Sequence, residues 1–122
     1  MTDWKPGTIP IRCVNGGALL PGWISEPFGL DWGIHKDTGE VMWVLHHMPT
    51  GWDICAISHP IGEVMRFVDL LRSLGDWSFR DPSTVSRDFA DAVAIARAEG
   101  FDICAAGRVA RPDYPDRLGA AA

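Results

Sequence analysis

Basic charge is scarce in this sequence. Its 122 residues include only two lysines, Lys5 and Lys36, and eleven basic against sixteen acidic residues leave a net charge of −5. Nucleic-acid binding draws affinity from neutralising phosphates with Lys and Arg, so the charge disfavours a nucleic-acid partner. The arginines are scattered, with Arg108, Arg111 and Arg117 thinly clustered near the end. Long apolar runs are also missing. The longest strong one covers residues 41–45, far short of the roughly 20 residues a spanning helix needs. The opening Met1-Thr2-Asp3-Trp4-Lys5-Pro6 lacks the apolar segment of a signal peptide. Three cysteines, Cys13, Cys55 and Cys104, cannot all pair. No membrane association, a cytoplasmic setting and free thiols are the expectation.

Site fingerprints are lacking too. No CxxC, HxH or HExxH spacing occurs, no GxGxxG or GxxxxGK, and no serine lies in a GxSxG elbow. The expectation is therefore no cofactor, no metal and no enzyme.

Tryptophan, by contrast, is abundant: six residues in a short chain. Trp is large and amphipathic, so several should anchor the core and one or two should serve a partner. The length suits one domain, spanning 1–122 with loose ends at about 1–8 and 112–122.

The most informative stretch is residues 28–58, FGLDWGIHKDTGEVMWVLHHMPTGWDICAIS, where three alternating runs are separated by two Gly-closed turns. This is the pattern of a three-stranded antiparallel meander. If each loop holds three residues, Lys36 pairs with Glu40 and Met48 with Trp52. One face then carries Leu30, Trp32, Ile34, Met42, Val44, His46, Met48, Trp52, Ile54 and Ala56, and is assigned to the core. The other carries Asp31, His35, Val41, Trp43, Leu45, His47, Asp53, Cys55 and Ile57. A one-residue slip in either loop would exchange one strand's faces.

Pro60 opens a helix whose apolar stripe is Ile61, Val64, Met65, Val68, Leu71 and Leu74, stopped by Gly75. Asp81-Pro82 opens a second, with Val85, Phe89, Ala92, Val93 and Ala96 as its stripe and Gly100 as its end. Asn15-Gly16-Gly17 suggests a turn between strands at 9–14 and 18–24, the latter interrupted by Pro21-Gly22. Gly51-Trp52-Asp53-Ile54-Cys55-Ala56 echoes in Gly100-Phe101-Asp102-Ile103-Cys104-Ala105, which suggests a late strand at 101–105. The fold class is thus α+β: an antiparallel sheet, the meander plus N- and C-terminal strands, packed against two helices.

Asp37-Thr38-Gly39 is the tripeptide of aspartic proteases, whose chemistry needs two carboxylates sharing a proton. Here His35-Lys36 precede it and Glu40 follows, so hairpin-loop chemistry is the expected role. His47, Asp53 and Cys55 form the best catalytic or metal-binding trio, as base, orienter and nucleophile or as three ligands. No oxyanion donors accompany them. The remaining feature is the second meander face: Val41, Trp43, Leu45 and Ile57 at its centre, rimmed by Asp31, His35, His47 and Asp53, the anatomy of an interface. The leading expectation is a non-enzymatic binding or regulatory protein using that face, through a larger protein partner or self-association. A phage or mobile-element inhibitor of host machinery, acting as anti-CRISPR proteins do, fits such a chain. The alternative is a small metal-binding protein or hydrolase built on His47, Asp53 and Cys55.

Overall fold

The computed structural model describes residues 4–13, 16–73, 77–78, 94–104 and 108–110. The fold is α+β with an antiparallel sheet. Its strands are β1 (Lys5–Cys13), β2 (Gly16–Ser25), β3 (Phe28–His35), β4 (Val41–His47), β5 (Trp52–Ile57), β6 (Ile103–Cys104) and β7 (Val109–Ala110), with helix α1 (Ile61–Arg72) after β5. Neighbours run in chain order from β1 to β6, and β7 pairs with β3 off this path. The N-terminal strand begins at Lys5, so residues 5–8 belong to the sheet rather than to a loose arm. Residues 94–98 are helical. The rest of the expected second helix and the tail at 112–122 lie outside the described residues.

Both meander loops hold four residues between paired strand ends. His35 N–H donates to the Glu40 carbonyl (2.8 Å), and Gly39 turns with φ +74°, the left-handed conformation glycine adopts without strain. The β3–β4 register is therefore Asp31↔Val44 and Trp32↔Trp43, one residue away from the Lys36–Glu40 pairing expected from a three-residue loop. At the second turn His47 pairs with Trp52 and His46 with Asp53. A shift between Leu45 and His46 then restores Val44↔Ala56 and Trp43↔Ile57, the alignment that the Met48–Trp52 pairing implied. Ile54 is the extra residue at this irregularity, and such bulges re-aim side chains.

These slips reassign the faces. Phe28, Leu30, Leu45, Cys55 and Ile57 share one buried cluster with Val64, Phe67, Val68 and Leu71 of α1, joined by Trp77, Ala96 and Phe101. The α1 side thus joins Leu30 and Ile54, both expected in the core, to Leu45, Cys55 and Ile57 of the face expected to meet a partner. Arg72 fixes the end of α1 to the β2–β3 turn, donating to the Glu26 carbonyl (2.6 Å) and to Ser25 Oγ (2.8 Å).

The opposite face carries Gly29, Asp31, Met42, Val44, His46, Asp53 and Ala56. The β1–β2 hairpin folds over it. Ile9 lies 3.0 Å from where a Gly29 Cβ would stand, and β1 makes contacts with β5. The sheet therefore curls on itself, with Ile9, Ile11 and Leu20 roofing its concave side.

Candidate functional site

Two groupings emerge: a polar trio inside the curl and an aromatic groove outside it. The trio is Asp31 on β3, His46 on β4 and Asp53 on β5. His46 Nε2 contacts Asp31 Oδ1, and His46 Nδ1 lies 2.5 Å from Asp53 Oδ1, with all three side chains fully buried. The four-residue first loop brings Asp31 to this face, and the four-residue second turn sets Asp53 opposite His46. Burial alone would push the His46 pKa down, but the charges and hydrogen bonds of Asp53 and Asp31 outweigh it and raise it from 6.5 to about 9. His46 is thus an imidazolium between two carboxylates. Fully buried, the trio is an internal ion network.

The expected catalytic trio does not form. His47 and Cys55 lie on the α1 face, whereas Asp53 points into the curl with His46. Both His47 ring nitrogens are engaged: Nε2 donates to the Trp77 carbonyl (2.6 Å), and Nδ1 meets the Thr50 hydroxyl (2.9 Å). Cys55 is fully buried, and burial first, then the Cys104 and Asp53 charges, pushes its thiol pKa far up. A protonated, enclosed thiol is no nucleophile. Alkylation of Cys55 in the folded protein is expected to be at least ~100-fold slower than in denaturant; comparable rates, read by peptide mass spectrometry, would contradict this placement. Among the described residues, no group of three or more His, Cys, Asp or Glu is arranged to hold a metal ion.

Asp37-Thr38-Gly39 is a turn. His35 Nδ1 accepts from the Asp37 and Thr38 backbone N–H groups (3.1 and 3.3 Å). The Asp37 carboxylate is exposed and pairs with Arg108 (3.2 Å).

The expected partner face is also redrawn. Leu45, Ile57, Asp31, His47 and Asp53 are all buried, so they present no surface to a partner. The α1 helix covers the first two, and the curl encloses both aspartates. His35 is a turn brace, Trp43 is half-buried, and only Val41 (60% exposed) stands fully in solvent.

An apolar surface forms beside that face instead. The Trp23↔Leu30 and Trp32↔Trp43 pairings put Trp23, Trp32 and Trp43 on one side of the sheet. Trp23 and Trp32 are each 38% exposed. With Pro6, Pro21 and Gly22 they line a shallow groove of about 320 Å³. The groove exists because β2 pairs with β3 only from Trp23 to Ser25, while its outer half follows β1 away. Pro21 and Gly22 sit where the strands part; proline brings no N–H to a ladder. Sequence reading noted Pro21-Gly22 as an interruption but assigned Trp32 to the core. The available signal was the surplus of tryptophan beside a strand-breaking dipeptide.

No helix among the described residues is long and apolar enough to cross a membrane. In comparisons with known proteins, no family model, curated protein or solved structure matches the chain.

Proposed function

We propose that this chain is a non-enzymatic binding protein that takes an extended, proline-containing segment of a protein partner into the Trp23–Trp32–Trp43 groove. The observation that carries this reading is the pairing of two exposed indoles with Pro6 and Pro21 around an open apolar groove. Aromatic-lined grooves accept proline-rich chains because such chains are already extended and lose little entropy on docking. The groove suits an apolar ligand: Asp31, the one ionisable residue in its wall, turns its side chain into the curl to His46. A sugar would find few hydrogen-bonding groups there. A nucleic-acid strand would meet stacking rings without the cationic track such sites use, on a chain of net charge −5. That charge favours basic residues flanking the prolines of the partner. Blocking a larger assembly by holding one of its proline-containing segments is the form an inhibitor role takes under this reading.

Titration with a panel of proline-containing decapeptides, followed by tryptophan fluorescence, tests it. Trp32→Ala is expected to weaken binding at least ~10-fold, as loss of a central aromatic anchor does, with an unchanged circular-dichroism melt. Binding by no peptide of the panel, or binding indifferent to both Trp32→Ala and Trp23→Ala, contradicts it.

A further inference from the structure

The prolines of the N-terminal hairpin fix where its backbone points. β1 and β2 pair Pro6 with Trp23, Thr8 with Pro21 and Pro10 with Leu19. In an antiparallel ladder, opposed residues alternate between exchanging both hydrogen bonds and turning their N–H and C=O away from each other. A proline brings no N–H to an exchange, so all three of these pairs are of the outward kind. On β1, the backbone groups of Pro6, Thr8 and Pro10 therefore point to the outer edge of the sheet. On β2, those of Leu19, Pro21 and Trp23 point away from β1, to the β3 side.

The two edges of the hairpin differ. Across those β1 positions only Thr8 offers an N–H, and prolines placed this way protect an edge from strand pairing. The β2 edge has no such protection before Pro21. Trp23 meets Leu30 of β3, but past Pro21 the strands have parted, and β7 takes the β3 edge at Ile34 and His35. Among the described residues, the Leu19 N–H and C=O face no paired strand. The Leu19 side chain is 65% exposed and stands on the same side of β2 as Pro21 and Trp23 of the groove. An open apolar edge of this kind is a template for an incoming strand.

We infer that the partner segment binds by strand addition to β2: one of its residues exchanges both backbone hydrogen bonds with Leu19, while its proline lies in the Trp23–Trp32–Trp43 groove. This deepens the proposed function and rests on it. The segment takes the place beside β2 that β3 leaves, so it runs antiparallel to β2 as β3 does. Leu19 and Pro21 are about 6.6 Å apart along the strand, and Pro21 lines the groove. The partner's proline therefore precedes its Leu19-paired residue by two positions. Pro21 has no N–H to give, so the added ladder ends where the proline begins. The partner is thus defined beyond its proline: an extended P-x-Φ segment, in which Φ is apolar, to pack beside Leu19, and keeps a free N–H.

Amide hydrogen exchange on the full chain tests this. A saturating proline-containing decapeptide of the P-x-Φ form is expected to slow exchange at the Leu19 amide at least ~10-fold. Leu19→Pro removes that donor without breaking a β1–β2 bond, because Leu19 and Pro10 form an outward pair. The variant should keep its circular-dichroism melt and bind the decapeptide roughly 3- to 10-fold more weakly, the worth of about one hydrogen bond. N-methylation of the peptide at Φ leaves the protein untouched and should weaken wild-type binding by a similar factor, whether or not Leu19→Pro folds. Indole signals of Trp23 and Trp32 that move with the peptide, while Leu19 exchange and the affinity of the N-methylated peptide stay unchanged, overturn strand addition and leave the groove reading standing. If no decapeptide moves those indoles, both fall.

Discussion

Replacing His46 by leucine, with Asp31 and Asp53 left in place, is expected to cost roughly 3–5 kcal/mol of stability or to prevent folding. The loss comes less from the missing attraction than from two carboxylates left buried without their cation. Replacing all three residues by apolar ones of similar volume should recover most of the loss, since a buried ion network is often no better than packed hydrocarbon. The same trio sets a pH dependence. An unfolded histidine releases its proton near pH 6.5, whereas folded His46 holds it to about 9. Below pH 6.5 both states are protonated and the contribution is complete. Between 6.5 and 9 only the folded state holds the proton, so stability falls as pH rises, by an amount on the order of 3 kcal/mol. Urea unfolding at pH 6 and pH 9.5 reads it directly. A flat profile across that window contradicts a cationic His46.

Gly22→Ala is the second large effect expected. A Cβ there would stand 2.4 Å from the Leu30 carbonyl oxygen and 2.6 Å from Ile9 Cδ1. The oxygen belongs to the sheet backbone and cannot swing aside, so β2 must move off β3. Forced overpacking of this kind costs roughly 1–3 kcal/mol, and here it would also open the roof over the trio. Gly62→Ala is the control: nothing lies within 4 Å of its Cβ position, and alanine is the better helix former. Denaturation midpoints should fall for Gly22→Ala and hold or rise for Gly62→Ala.

Much of the fold was legible in the sequence. The meander, the N-terminal hairpin, α1 and a late strand at 103–104 all follow from local signals: alternation, Gly-closed turns and a helical apolar stripe. The faces did not follow, because they hang on loop length. Lys36-Asp37-Thr38-Gly39-Glu40 reads equally as a three- or a four-residue loop, and a one-residue difference exchanges every side chain of β3. The cue for four residues is His35, whose ring caps the turn from inside, a role that composition cannot announce. The bulge at Ile54 is likewise silent in sequence. The second turn, with four residues rather than three, decides that Asp53 meets His46 rather than His47, and the bulge restores the alignment beyond it. From these two details came both departures of site: a partner face whose Leu45 and Ile57 lie beneath α1 while Asp31 and Asp53 lie in the curl, and a catalytic trio divided between the two sides of the sheet. The curl of β1 and β2 is a long-range event, yet Gly22 and Gly29 were its local traces, each a place where another strand comes too close for a Cβ.

The most direct test of the account is the indole spectrum of the ¹⁵N-labelled full chain, in which each of the six tryptophans gives one signal. On addition of a binding proline-containing decapeptide, Trp23 and Trp32 should move most and Trp43 less, while Trp4, Trp52 and Trp77 stay in place. A response centred on Trp4, Trp52 or Trp77, or no response from any of the six, would contradict a binding function seated in the groove.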